Sequence, residues 1–91
     1  MNLRRSRAHI FVDILRLINK KGMAKPTHIL YGANLSHIRL KKYLDHLQTM
    51  GFVEKTNEKN QVYFKMTKKG YEFLREFKKV EELSEAFGIE I

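Results

Sequence analysis

A chain of 91 residues makes one domain, able to bury roughly 60 to 65% of its unfolded surface, and leaves no room for a second, catalytic domain. Of its Lys and Arg, 15 of 18 lie within residues 1–71 with only 4 of the 10 Asp and Glu; that part carries net +11 and the remaining 20 residues net −3, so a polyanion meets a basic body with a mildly acidic tail. Without cysteine there is no disulfide scaffold and no thiolate metal site, and no run of about 18 apolar residues offers a membrane span.

The opening "MNLRRSRAH" is basic and lacks a signal-peptide cleavage pattern, so the expected location is the cytoplasm. Ser6 is placed to cap a helix whose apolar residues Ile10, Phe11, Ile14, Leu15, Leu17 and Ile18 recur at helical spacing until "KKG" ends it at Gly22. Pro26 pushes Lys25 toward extended backbone and suits the first position of a second, short helix reaching Tyr31, with Gly32 as its left-handed exit.

The residues "GANLS" predict a turn in which Asn34 tolerates unusual backbone angles, Leu35 plugs the core and Ser36 caps a third helix from about His37 to Met50. At 100° per residue Leu40, Tyr43, Leu44, Leu47 and Met50 share one face of it, and Ile38 lies on the opposite one. Gly51 stops this helix. "FVEKT" and "QVYFKM" read as two strands of a hairpin around the turn-prone "NEKN", and Thr67 caps a last helix that runs to about Phe87 before Gly88.

Helix, short helix, turn, helix, hairpin, helix is the order of a winged helix-turn-helix domain: mainly α with a small β-hairpin, an α+β fold. The competing reading is a small α+β domain with a basic surface and no nucleic-acid ligand. The wording adds to the grammar. "ILYGANLS", then "KKYLDHLQTMGFVE", then "FKMTKKGYEFL" resemble the archaeal winged-helix family that includes the small ten-kilodalton chromosomal DNA-binding proteins of Sulfolobus-type archaea. The likeness runs over residues 11–80, and "YGANLS" and "TKKG" are its most specific pieces.

That resemblance implies a domain over residues 1–70 that binds double-stranded DNA, with a basic N-terminal arm, and a C-terminal helix over 71–91 that pairs two protomers. Residues 31–36 would be the turn into the recognition helix, with Lys41, Lys42 and Tyr43 its middle. The chromosomal proteins carry a long coiled-coil tail; the tail here has only about 20 helical residues, roughly 30 Å.

On the outward side of the third helix, counted from His37, the spacing gathers Ile38, Lys41, Lys42, Asp45 and Thr49, with Arg39 and His46 on one shoulder and Gln48 on the other, a surface suited to a major groove. Ile38 either touches a thymine methyl there or packs sideways into the hairpin or second helix. Ser36, Lys25, Thr27 and His28 stand at helix starts, where free N–H groups and the dipole favour phosphate. Lys55, Lys59, Asn60 and Gln61 lie on the hairpin and can follow the backbone or the minor groove, and Arg4, Arg5 and Arg7 form either a DNA-seeking arm or a frayed terminus.

For the tail, Phe73, Phe77, Val80, Ser84 and Phe87 alternate steps of four and three, the seam of a coiled coil, with Leu74 and Leu83 beside it; a homodimer is expected through this stripe. Enzymatic chemistry finds no footing. The four histidines show no i, i+3 or i, i+4 pairing, no Gly-rich phosphate loop is present, and no Ser/His/Asp set assembles, so neither metal, cofactor nor small-molecule ligand is expected. The reading is a double-stranded DNA-binding homodimer in transcription regulation or chromosome organisation, located on the nucleoid. Its rival is a protein-interaction module using the same basic face and tail.

Overall fold

The computed structural model describes residues 6–90. Seven elements follow in order: α1 (Arg7–Lys21), β1 (Met23–Ala24), α2 (Pro26–Gly32), α3 (His37–Thr49), β2 (Val53–Glu58), β3 (Gln61–Met66) and α4 (Lys68–Phe87). Three of the helices begin where a hydroxyl accepts a bond from a first-turn backbone N–H: Ser6 from His9, Ser36 from Arg39, Thr67 from Gly70. The expected helix starts therefore hold, and Arg7, expected in either a DNA-seeking arm or a frayed terminus, is the first residue of α1. Arg4 and Arg5 lie outside the described residues.

The sheet is larger than a hairpin. Its order is β1-β3-β2, all antiparallel, because Met23 and Ala24 pair with Lys65 and Phe64 along the free edge of β3. The turn is tighter than "NEKN" suggests, since Asn57 pairs with Val62 and Glu58 with Gln61, leaving only Lys59 and Asn60 to reverse the chain. Both have positive φ, 50° and 64°, the conformation a two-residue turn needs to match the twist of the flanking strands.

Ile14, Leu15, Ile18, Ile29 and Leu47 are fully buried at the centre of the core, each contributing about 1.5–3 kcal/mol by leaving water. Around them pack Leu35, Leu40, Tyr43, Leu44, Val53 and Phe64. Leu35 plugs the core as expected. Leu17 is only half-buried, because it lies over Gly32 rather than in the centre: a Cβ on Gly32 would stand 2.6 Å from Leu17 Cδ2. That close approach, not a left-handed exit, is what Gly32 provides. The left-handed residue is Asn34, φ 54°, which follows the helix by two positions.

A second close approach joins the end of α3 to the start of α4. The Thr67 hydroxyl donates to the Gly51 carbonyl, Thr67 N–H donates to the Phe52 carbonyl at 3.1 Å, and Gly70 is buried beneath that same carbonyl. A Cβ on Gly70 would lie 2.2 Å from Phe52 O, a backbone atom that cannot swing away. Gly70→Ala is therefore expected to destabilise the domain by about 1–3 kcal/mol as an overpacked joint. Thermal melting checks this: each kcal/mol moves Tm by roughly 4–8 °C in a chain of this size.

From that joint α4 runs back over α1. Phe73 stacks on Phe52 with centroids 4.7 Å apart, Phe77 meets the edge of His9 at 5.9 Å, and Glu81 forms a two-pronged ion pair with Arg16. The helix ends at Gly88, φ 65°, where the Ile89 N–H reaches the Ser84 carbonyl at 2.9 Å and turns Ile89 back toward the helix.

Candidate nucleic-acid interface

The turn at Ala33–Leu35 docks α3 on the body through Leu40, Tyr43, Leu44 and Leu47, so the opposite side of α3 is presented to solvent along its length. Ile38 stands on that ridge at 84% exposure. It is not a core residue packed sideways. His37, Arg39, Lys41 and Lys42 are exposed around it.

The two flanks of the ridge differ. On one, Arg39 lies 5.8 Å from the Tyr43 ring centroid, and Tyr43 is wedged edge-on against Phe11 of α1 at 5.4 Å. The Tyr43 hydroxyl is held below its ordinary pKa: the Arg39 guanidinium donates to it, its burial opposes that, and the charges of Arg39, Lys42 and Arg7 add to the lowering. The charge of Arg7, from the far start of α1, thus reaches the same Tyr43 hydroxyl as those of Arg39 and Lys42.

The other flank is a groove between α3 and the hairpin. Leu40, Leu44, Val62 and Phe64 form its floor, and His37, Lys41, Gln48 and Lys55 line its sides. Lys55 belongs here because it alternates with Val53 on the face of β2 turned toward α3, and its ammonium lies 6.0 Å from the Phe64 centroid. Lys41 is partly neutralised by Asp45, one turn on, at 3.7 Å.

Thr27 and His28 are exposed on α2, while Lys25 leans toward the sheet, its ammonium 6.0 Å from the Tyr63 centroid. The Ser36 oxygen is occupied as the cap of α3. Lys59, Asn60 and Gln61 project at the hairpin tip, apart from the α3 ridge. One prominent side chain of the helix-turn-helix was not among the expected site residues: Tyr31, 79% exposed near the end of α2. Its place beside Thr27 on the outer face of α2, one turn apart, was the available signal. In the tail, Phe73, Leu74 and Phe77 are half-buried on the domain itself, whereas Val80, Leu83 and Phe87 are exposed at 43%, 58% and 71%.

Residues 4–85 match the profile of the winged helix-turn-helix family. The chain belongs to that family. This winged helix-turn-helix chain is similar to an uncharacterized protein of Methanocaldococcus jannaschii, 37% identical over 67 residues; the match covers 74% of this chain but 64% of that relative, less than two thirds of its length. Among solved structures it resembles Sso10a-2, a DNA-binding protein from Sulfolobus solfataricus, with TM-score 0.80 and 25% identity over 91% of this chain and 85% of that one. The transcriptional regulator BldR from the same organism shares the fold at TM-score 0.75 and 16% identity, over 88% of this chain and 60% of that one. The expected archaeal winged-helix kinship is thereby met, and the two solved structures are those of a DNA-binding protein and a transcriptional regulator rather than of enzymes.

Proposed function

We propose that the chain is a double-stranded DNA-binding protein, a transcription regulator or chromosome-organising protein of the nucleoid, that acts as a homodimer with α3 in the major groove and the hairpin on the backbone or in the minor groove. The observation that carries this reading is the α3 ridge: a large aliphatic side chain held 84% exposed among Arg39, Lys41 and Lys42, on the helix that a helix-turn-helix offers to base edges. A solvated helix has no use for an isoleucine there, whereas the thymine methyl is an apolar target in the major groove. The kinship with Sso10a-2 supports the same reading.

In this arrangement Arg7, Arg39 and Lys42 take phosphates or guanine edges on one side of α3. His37, Lys41 and Lys55 face the strand that passes between α3 and the hairpin, with Thr27, His28 and Ser36 at its margin, while Lys25 lies over Tyr63 on the outer face of the sheet. Lys59, Asn60 and Gln61 follow the minor groove. The test is a titration of random-sequence duplex at several salt concentrations. Phosphate contacts release counterions, so affinity should fall steeply and linearly in log–log form. A slope near zero would instead favour a protein-interaction module, whose apolar contacts respond little to salt.

Ile38→Ala separates reading from positioning. Because Ile38 is exposed, the substitution should change stability by no more than about 0.5 kcal/mol, while affinity drops at some sequences and the salt slope stays the same. Equal affinity loss across every duplex in a sequence panel would remove Ile38 from base contact.

A further inference from the structure

Strand alternation gives the sheet two unlike faces. Ala24, Val53, Phe64 and Met66 turn inward, and Lys55 continues that face toward α3. Met23, Lys25, Tyr63 and Lys65 turn the other way, away from α3. Against this outer face stands the end of α1 at Lys21, with Lys20 preceding it in the same exposed last turn, and between them lies a hollow lined by Lys21, Gly22, Met23, Glu58, Lys59 and Tyr63.

The lysines in and around this hollow outnumber the acids. Among the described residues no carboxylate pairs with Lys20, Lys21, Lys25 or Lys59, while Lys65 is already satisfied by Glu54 at 3.5 Å. Glu58 is the single acid in the lining. Two apolar surfaces come with the lysines: Met23, 39% exposed, and the Tyr63 ring, with Lys25 held 6.0 Å from its centroid. Ammonium groups around an apolar platform fit a sugar-phosphate chain, whose anionic oxygens alternate with the hydrocarbon faces of deoxyribose.

We propose that the outer face of the hairpin and the last turn of α1 form a second phosphate-binding flank, which holds the DNA strand across the minor groove from the one held between α3 and the hairpin. This rests on the DNA-binding reading above. A hairpin entering a minor groove about 6 Å wide meets a sugar-phosphate wall on each side. Lys55 and Lys41 serve the wall next to α3. Lys21, Lys59 and Lys25 serve the other, Lys20 extends the contact beyond the hairpin, and Glu58 opposes it.

The experiment uses the full chain on a defined duplex, with hydroxyl-radical footprints on both strands and affinities over a salt series. Lys20→Ala/Lys21→Ala should lower the salt slope by about two units and remove protection on one strand beyond the hairpin, with protection beneath α3 retained. Lys20→Arg/Lys21→Arg should keep the slope, and Glu58→Gln, which leaves every lysine in place, should tighten binding. An unchanged slope and footprint in the double alanine variant, while Arg39→Ala/Lys42→Ala weakens binding, would overturn the flank and leave the α3 reading standing. Absence of salt-dependent binding by the unmodified chain would overturn both.

Discussion

Leu83→Glu combined with Phe87→Glu is expected to turn a dimer at micromolar concentration into a folded monomer and to lower apparent affinity for long duplex by about 10²- to 10⁴-fold, the gain that two tethered sites supply through effective concentration. The expectation follows from how α4 is divided. One side of it is engaged within the domain: Phe73 on Phe52, Phe77 on His9, Glu81 on Arg16. Away from those contacts Val80, Leu83, Phe87 and Ile89 line one apolar hollow in solvent, and the turn at Gly88 brings Ile89 back to lengthen it. A helix stripe of this kind needs a partner, and a second copy of the chain is the simplest, since every copy carries the same stripe. Because the substituted side chains touch little of their own domain, Tm should hold while sedimentation changes. An unmodified chain that sediments as a monomer throughout the micromolar range would end the paired-tail reading.

The α3 face carries the second large effect. Arg39→Ala/Lys41→Ala/Lys42→Ala is expected to cut the salt slope by about three units. Each lost phosphate contact costs about tenfold near 0.1 M salt, so affinity for every duplex should drop by about 10³-fold. The fold should survive, because all three side chains are exposed and only Lys41 is in an ion pair, with Asp45 at 61% side-chain exposure, where such pairs contribute little. Arg39 carries a secondary cost: its loss frees the Tyr43 hydroxyl from its donor. Circular dichroism should therefore accompany the titration, and a folded triple variant with unchanged binding would reject α3 as the DNA surface.

These two surfaces were not equally legible beforehand. The α3 ridge follows from a single period, since Leu40, Tyr43, Leu44 and Leu47 fix which side faces inward and Ile38 is then opposite them. The tail stripe follows from the same rule, but how it splits between Phe77 and Val80 does not. That division depends on which side of α4 packs on α1, which is set by His9 and Arg16, residues more than 60 positions away in the chain. The motif "TKKG" could be read as a cap at Thr67; that Gly70 must pass beneath the Phe52 carbonyl could not.

By itself, the sequence determined the helices, their caps at Ser6, Ser36 and Thr67, the inward faces of α1 and α3, and the presence of a hairpin. All of these rest on relations between residues no more than about four apart, or on the two-residue alternation of a strand. Tertiary structure decided the rest. Met23 and Ala24 become a strand only because β3 offers an unpaired edge, and two residues carry no periodic signal of their own. Gly32 serves the packing of Leu17 instead of reversing the chain, the charge of Arg7 reaches Tyr43 across 35 intervening positions, and Lys21 at the end of α1 becomes part of a hollow against the hairpin. Each is a meeting of segments distant in sequence, and burial of a shared core, rather than any local preference, is what brings them together.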